Sequence, residues 1–317
     1  MKYEIGGYFG LENKVNGVHY HSKANLKLNS ASSAFKVLLR LKEASKVYLP
    51  YYICNSIVNC LKSLKIEHQF YAIDNQLFPI TLPKLQANEY FLYVNYFGLQ
   101  NTKIAQLAKI FAERLIVDNA QAFFAYPIGF TNTFYSARKF FGVPDGGYLY
   151  APDDINIRLP TPGFNQAMVY LLKRIECGAA SGYEDFVAHE KLLLKSPIEA
   201  MSQLTNAILR GIDYAFVRQR REENFYLLHE KLIHLNQLEL EINSLCGPLT
   251  YPLLINCKKL KQRLLANNIY IPTYWPDIAY RLKEDSFEKQ MLDFLIPLPI
   301  DQRYNKLDML NIIKLIN

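Results

Sequence analysis

The sequence contains little cysteine, and what it has is scattered. There are five cysteines in 317 residues, an odd number, and no two of them form a C-x-x-C pair. This pattern excludes a disulfide framework and a cysteine-rich structural zinc site, and it predicts a reducing, cytoplasmic location. The six histidines include no H-E-x-x-H motif. His19 and His21 could meet on one face of a strand, but we expect a surface pair and no metal site.

Long apolar runs are also missing. No stretch of eighteen apolar residues occurs, and residues 1–10 lack a basic segment followed by an apolar one. We therefore expect neither a membrane span nor a signal peptide. The net charge is +7, but the basic residues are spread along the chain, and the densest cluster, 218–221, is followed at once by two glutamates. This arrangement predicts a solvated helix face and no nucleic-acid partner, while a mild positive excess suits an anionic small substrate.

The common nucleotide and hydrolase fingerprints are absent as well. The chain has no G-x-G-x-x-G, no G-x-x-x-x-G-K-[ST] and no G-x-S-x-G motif. A dinucleotide-binding turn, a P-loop and a nucleophile elbow are therefore not predicted.

What is present is an alternation of short strands and helices in the first half. Apolar spacing predicts a helix over 31–44 and another from about residue 54, with strands at 46–49, 66–72, 89–96, 115–118, 133–136 and 147–151. Such an alternation predicts βαβ units and a mainly parallel α/β sheet flanked by helices, in which ligands gather at the carboxyl ends of the strands.

The second half is mostly helical before it mixes strands and helices. A long amphipathic helix is predicted over about 214–235, followed by strand candidates at 238–242, 249–255 and 270–274 between further helices. We therefore predict two domains. The larger α/β domain spans 1–213, and a smaller α+β domain spans 214–317.

Three segments carry the candidate chemistry. An apolar strand delivers an acid at its end in 115–121 (LIVDNAQ), a lysine leads into a double glycine in 134–147 (FYSARKFFGVPDGG), and a helix starts with hydroxyl side chains in 29–33 (NSASS). Each alone is commonplace, since an acid at a strand end is usually a cap and a loop lysine is usually a solvated charge. The serines alone would be read as helix caps.

Together, these segments resemble the DegT/StrS family of sugar aminotransferases, which have the fold of aspartate aminotransferase. That family places Asp, two small residues and then Gln or His at a strand end, as in Asp118-Asn-Ala-Gln121. Its cofactor lysine follows about twenty residues later, and Gly-Gly comes after six further residues, as in Lys139 and Gly146-Gly147. The resemblance implies fold type I of the pyridoxal-phosphate enzymes, with a mainly parallel seven-stranded sheet.

The resemblance also implies a role for each residue. Lys139 would form a Schiff base with the aldehyde of pyridoxal 5'-phosphate and later move the proton between substrate and cofactor. Asp118 would hold the proton on the ring nitrogen, and Gln121 would bind the ring's 3-oxygen. Ser32 and Ser33 would bind the phosphate at the start of their helix, where backbone N–H groups face outward.

The sequence departs from the family in several places. Phe134 stands where a serine is common, so Ser136 would take over its role. Cys54 stands where many members have an aromatic residue that stacks on the cofactor ring, and three tyrosines (Tyr51, Tyr52 and Tyr96) are alternative covers. The family's Gly-Tyr-Asn-x-Arg-Met segment is not recognisable, and its nearest counterparts are 163–165 and 182–183.

The activity implied by the resemblance is transfer of an amino group from glutamate to a nucleotide-linked keto sugar, for surface polysaccharide or modified-sugar synthesis, in a cytoplasmic homodimer. Two alternatives stay open. One is a pyridoxal-phosphate enzyme of the same fold that acts on a small non-nucleotide keto substrate, as the short chain and the missing segment suggest. The other is a non-catalytic descendant that binds a ligand, as Phe134 and Cys54 suggest.

One further segment has two interpretations. It consists of Asp301, Gln302 and Arg303, and it could close over a carboxylate donor or form a cap and a salt bridge.

Overall fold

A computed structural model describes residues 17–129, 132–152, 155–163 and 168–316. Its main feature is a seven-stranded sheet with the order β1-β7-β6-β5-β4-β2-β3. The strands in the described residues are β1 Leu26–Leu28, β2 Lys46–Pro50, β3 Glu67–Tyr71, β4 Glu89–Val94, β5 Leu115–Asn119, β6 Asn132–Ser136, β7 Gly147–Tyr150, β8 Tyr251–Leu254 and β9 Leu295–Leu298. The helices are α1 Ala31–Leu41, α2 Asn55–Ser63, α3 Asn101–Phe111, α4 Val169–Cys177, α5 Tyr183–Lys195, α6 Gln203–Arg210, α7 Tyr214–Leu232, α8 Leu260–Ala266, α9 Phe287–Phe294 and α10 Lys306–Ile316.

The sheet is mainly parallel, as predicted. Strands β2 to β6 run in one direction, and β7 is antiparallel to both of its neighbours, β1 and β6. The central strands β4, β5 and β6 are buried along nearly their whole length, as expected for strands covered by helices on both faces. The predicted fold class is therefore confirmed.

Helix α1 forms because its apolar residues recur on one face and because its start is capped. Ser30 is the N-cap, and its Oγ accepts a hydrogen bond of 3.0 Å from the backbone N–H of Ser33. Phe35, on the buried face of the helix, packs on Phe134 of β6 with ring centroids 5.3 Å apart. The start of α1 is thereby placed beside the last residue of β6 and the first residue of β7, which are paired with each other.

The last third of the chain contains a two-stranded antiparallel sheet, β8 with β9. Helix α7 begins after its N-cap Asp213, at the predicted domain boundary, and the division into 1–213 and 214–317 remains a prediction. The predicted strands at 238–242 and 270–274 are wrong. Just before the first segment, the side chain of Asn236 binds the edge of β8, and its Oδ1 accepts a hydrogen bond of 2.9 Å from the N–H of Leu254. In the second, Pro272 lacks the N–H group that a strand ladder needs.

His19 and His21 do not form the surface pair that the sequence predicts. His21 is fully buried, its Nε2 lies 2.8 Å from the carbonyl oxygen of Phe123, and its Nδ1 lies 3.1 Å from the Tyr150 hydroxyl. Three aromatic rings from distant segments pack around the His21 ring, and His19 Nδ1 lies 3.2 Å from the Tyr148 hydroxyl, contacts that sequence spacing cannot reveal. Within the described residues, no helix combines the length and the apolar character needed to cross a bilayer.

Candidate active site

The candidate site residues gather at the carboxyl edge of the sheet. Val94 of β4 is paired with Asp118 of β5, and Asp118 is in turn paired with Phe134 of β6. Because these strands are parallel, the loops that follow them emerge at the same edge. Asp118, Gln121 and Lys139 all lie at the ends of these strands or in those loops.

Asp118 is a buried carboxylate near the end of β5, with 7% of its surface exposed. Its Oδ1 accepts a hydrogen bond of 2.8 Å from the N–H of Ala120. Burial raises the pKa of this carboxyl, while the positive charge of Lys139 and the Ala120 hydrogen bond act in the opposite direction. Asp118 and Lys139 therefore interact electrostatically, and a second cation at Asp118 would relieve the cost of burying its charge.

Gln121 is also buried, and its amide is oriented by an unusual turn after β4. The Gln121 Oε1 accepts a hydrogen bond of 2.8 Å from the N–H of Phe97, whose φ is +59°. Gly98 follows with φ +79°, and a Cβ at this position would lie 3.1 Å from the carbonyl oxygen of Gln121. Because the oxygen of the amide is bound to Phe97, the Nε2 group is the end that can donate to a ligand. The sequence marked residues 95–98 only as the end of a strand.

Lys139 lies in a tight turn after β6, and its side chain is exposed. The N–H groups of Phe140 and Phe141 both donate to the carbonyl oxygen of Ala137 at 3.0 Å, and the N–H of Ala137 donates to the carbonyl of Gly146 at 3.0 Å. The turn is thus closed on itself by main-chain hydrogen bonds, and it presents the lysine at the same edge as Asp118.

The start of α1 lies directly beside this turn. The N–H of Gly146 donates to the carbonyl oxygen of Asn29 at 2.9 Å. Ser32 and Ser33 occupy the first turn of α1, where the earliest N–H groups have no acceptor within the helix. The N–H of Ser33 is bound by Ser30, so Ser32 is the better placed of the two to offer both its N–H and its hydroxyl to an anion.

Gly147 explains why a double glycine stands here. A Cβ on Gly147 would lie 2.3 Å from the carbonyl carbon and oxygen of Ser30 and 2.6 Å from the nitrogen of Ala31. Gly146 has φ +123°, a conformation that disfavours any residue with a side chain. The two glycines let β7 pass against the backbone at the start of α1.

Ser136 lies on the α1 side of the sheet. Side chains alternate along a strand, so Ser136 shares a face with Phe134, which packs on Phe35 of α1. Ser136 is also paired with Gly147, the residue that touches Ser30. Phe134 is fully buried in this packing. The geometry is consistent with Ser136 as the hydroxyl nearest the start of α1 on β6, and it gives Phe134 a structural role.

Cys54 is the N-cap of α2 and is half-buried at the same edge of the sheet. Its Sγ lies 3.5 Å from the N–H of Ser56 and 3.1 Å from the Ser56 hydroxyl, both of which donate to it. The alternative covers are engaged elsewhere. Tyr52 and Tyr96 are fully buried, and Tyr51 stacks on Phe70 with centroids 5.2 Å apart.

The two segments suggested as counterparts of the missing family motif stay a prediction. Residues 164–165 lie outside the described chain, and Tyr183 begins α5 with 63% of its surface exposed. Arg303 pairs with Asp301 at 2.7 Å, which favours the salt-bridge interpretation of that segment.

No protein-family model matches the sequence, and no curated protein matches it. Solved structures do resemble the fold. The sugar aminotransferase CalS13 from Micromonospora echinospora matches at a TM-score of 0.61 and 15% identity, over 92% of this chain and 86% of that one. A DegT DnrJ EryC1 StrS aminotransferase from Brucella abortus matches at 0.63 and 14%, over 92% and 84%. Helicobacter pylori PseC, an aminotransferase involved in pseudoaminic acid biosynthesis, matches at 0.58 and 15%, over 92% and 85%. The predicted fold is thus confirmed, and the chain has the fold of the DegT/StrS sugar aminotransferases.

Proposed function

We propose that the protein is a pyridoxal-phosphate-dependent aminotransferase. The observation that carries the proposal is the meeting of Asp118, Gln121 and Lys139 at one edge of a sheet, beside the start of α1, in a fold shared with sugar aminotransferases. Neither a cap nor a solvated lysine requires this combination of an acid, an amide and an amine.

The residues present fit the cofactor. Asp118 is a buried carboxylate whose pKa burial raises, and a protonated ring nitrogen would supply the cation that it needs. The donor end of the Gln121 amide suits the ring's 3-oxygen. Ser32 and Ser136 offer hydroxyl groups near the start of α1, where a phosphate is favoured. Cys54 and Ser33 complete the predicted set, Cys54 as a non-aromatic cover and Ser33 through its hydroxyl.

Pyridoxal phosphate, when bound, supplies an electron sink for the electron pair left after the donor's α-proton departs. Lys139 would hold the cofactor through Nζ and, once displaced by the donor, would carry that proton as general base and acid. Asp118 would keep the ring nitrogen protonated throughout. Gln121 would fix the rotation of the ring, because Phe97 already fixes the Gln121 amide.

For the substrate we propose a nucleotide-linked keto sugar, with glutamate as donor, in surface polysaccharide or modified-sugar synthesis. The sugar aminotransferases that share the fold support this choice. A small non-nucleotide keto substrate is the second candidate, favoured because the family's Gly-Tyr-Asn-x-Arg-Met segment is not recognisable in the sequence. The two candidates are separated by treating the enzyme with cofactor and glutamate and then adding either a keto-sugar nucleotide or a simple keto acid. The true substrate is the one that takes up the amino group.

We further propose a cytoplasmic homodimer. In the described residues, α4 and α5 expose several large apolar side chains, which are Leu172, Ile175, Tyr183, Leu192 and Leu194. Apolar surface of this kind supports association with a second copy. The five cysteines are free thiols, which supports a reducing compartment. The mass in solution decides the first point, and a single-chain mass would contradict it.

The test of the activity is the absorbance spectrum of the purified protein with pyridoxal phosphate and then with glutamate. We expect a visible band in the wild type that glutamate bleaches, because the donor takes the amine's place on the cofactor. The variant Lys139→Ala should lack that band before any amine is added. Lys283→Ala, which removes an exposed lysine of the C-terminal third, is the matched control and should behave as the wild type.

A wild type that stays colourless with added cofactor would contradict the proposal and leave a ligand-binding descendant. A band that persists unchanged in Lys139→Ala would contradict only the assignment of the lysine. A band that forms normally but resists glutamate and other amino donors would leave the cofactor and remove the transaminase.

A further inference from the structure

Arg221 of α7 is a buried cation held mainly by neutral groups. It is 1% exposed, and its Nη1 donates to the carbonyl oxygens of Pro248 at 3.1 Å and Leu249 at 3.2 Å. Burial lowers the pKa of its guanidinium to about 10, and the charge of Asp301 acts on it in the opposite direction without a direct hydrogen bond. Its Nε is buried and has no hydrogen-bond partner among the residues that the structure describes. Burying a charge that is held mainly by neutral groups costs stability. The role of Arg221 therefore lies in the segment that it holds in place.

What Arg221 holds is the residue that follows Lys139. Its Nη2 donates to the Gln302 Oε1 at 3.1 Å and to the carbonyl oxygen of Phe140 at 3.5 Å. Gln302 Nε2 donates to the same carbonyl at 2.9 Å. The guanidinium carbon also lies 4.5 Å from the centre of the Phe140 ring, within the range of a cation–π interaction. Arg221 and Gln302 together form what we call the Phe140 clamp.

The opposite side of the same turn is held by α5. Arg138, the residue before Lys139, is paired with Glu190. His189 Nε2 lies 2.6 Å from the carbonyl oxygen of Pro144. Both neighbours of the lysine in the chain are thus restrained by elements distant in the sequence, while the lysine side chain itself is exposed.

We propose that the Phe140 clamp positions Lys139 for its reaction with the cofactor, so that Arg221 and Gln302 are positioning residues. This inference rests on the proposed function. A lysine side chain is long and flexible, so the direction in which it leaves the main chain decides how often its amine meets a fixed aldehyde. The Phe140 carbonyl lies one peptide unit beyond the one that leaves Lys139, whose N–H, on Phe140, donates to Ala137. Holding Phe140 at both its N–H and its carbonyl restrains the backbone next to Lys139 and, with it, that direction.

The first measurement uses the protein without cofactor. Gln302 is half-buried, so Gln302→Met should fold while losing both its donor to Phe140 and its acceptor for Arg221. Gln290→Met, on the exposed face of α9, is the matched control. Hydrogen exchange of the Phe140 and Phe141 amides reports the mobility of the turn, because both donate to Ala137. We expect exchange about tenfold faster in Gln302→Met than in the control, as for the loss of two ordinary hydrogen bonds.

A second variant separates the two halves of the clamp. Gln302→Glu keeps an acceptor for Arg221 but cannot donate to the Phe140 carbonyl. We expect its Phe140 and Phe141 amides to exchange as fast as those of Gln302→Met. Equal exchange in wild type, Gln302→Met and Gln302→Glu would overturn the clamp.

The third measurement uses the loaded protein. Borohydride reduction at limiting pyridoxal phosphate, followed by peptide mass analysis, gives the fraction of cofactor trapped on Lys139 relative to exposed lysines. We expect this fraction to fall several-fold in Gln302→Met and to be unchanged in Gln290→Met. Faster exchange with normal trapping would overturn the positioning role. Absence of trapping on Lys139 in the wild type would refute the proposed function instead, and the exchange measurement would still decide the clamp.

Discussion

The close approach of β7 to the start of α1 makes Gly147 the most sensitive position for a test of the site's geometry. The substitution Gly147→Ala adds one methyl group. Its carbon would lie 2.3 Å from the carbonyl carbon and oxygen of Ser30. Carbon atoms in contact ordinarily lie about 3.5 to 4.0 Å apart. The overlap is with backbone atoms, so no side-chain rotation relieves it.

Neither partner can move freely. β7 is hydrogen-bonded to β1 on one side and to β6 on the other, and Ser30 is the cap of α1. We therefore expect Gly147→Ala to cost about 3 kcal/mol, the upper part of the range for overpacking a well-packed interior. For a chain of 317 residues that corresponds to a melting temperature lower by about 4 to 5 °C. We also expect weaker binding of pyridoxal phosphate, because the start of α1 would be displaced from the lysine turn.

The assay is thermal unfolding of the cofactor-free protein followed by circular dichroism, with a pyridoxal-phosphate titration in parallel. Gly142→Ala is the matched control, since a Cβ there would meet only Leu171 Cδ2 at 3.7 Å, an ordinary contact. If Gly147→Ala had the same melting temperature as Gly142→Ala and bound the cofactor equally well, the close approach of β7 to the start of α1 would be refuted.

Two further predictions concern buried titratable groups. Asp118→Asn should weaken pyridoxal-phosphate binding about tenfold or more, as for a lost charge-assisted hydrogen bond, in an absorbance titration. In the absence of cofactor at pH 8, the same variant should have a higher melting temperature than the wild type. The reason is that the raised pKa of Asp118 means that its ionised form destabilises the folded state. A lower melting temperature would contradict this. Burial lowers the pKa of His21 from 6.5 to about 3. Its contribution to stability is therefore complete above pH 6.5 and is lost as the pH falls. We expect this residue to lower the free energy of unfolding by about 2 kcal/mol between pH 8 and pH 5. Burial also lowers the pKa of His19, to about 4, so the two histidines together should lose about 4 kcal/mol, which denaturant unfolding at several pH values measures. His21→Gln should remove about half of that loss.

The sequence predicted the site's scaffold well because that scaffold depends on local patterns. Asp118 and Gln121 end an apolar run, and the parallel sheet brings the loop with Lys139 to the same edge. The double glycine was visible as a spacing, but its reason was not. Only the structure brings Gly147 against Ser30, and β1, which pairs with β7, is a three-residue strand too short to give a signal.

The parts that were missed depend on contacts between distant segments. Phe97 adopts a left-handed conformation that no β-rich apolar sequence suggests, and it orients Gln121. Arg221 was read within a cluster of charges on a solvated helix face, yet it is buried, because α7 packs against the lysine turn and residues 248–249. Gln302 is separated from Phe140 by 162 positions, so its contact has no local signature.

The β6–β7 hairpin carries Lys139 and, seven and eight residues later, the double glycine that packs against the start of α1. A ligand that carries both an aldehyde and a phosphate would therefore be held at two points, by Lys139 on the hairpin and by the start of α1, against which Gly147 packs. Once the phosphate is in place, capture of the aldehyde becomes an intramolecular event with a high effective concentration. Lys139 and the start of α1 would thereby favour a bifunctional ligand over two separate monofunctional ones, and either half of the ligand alone would bind only weakly.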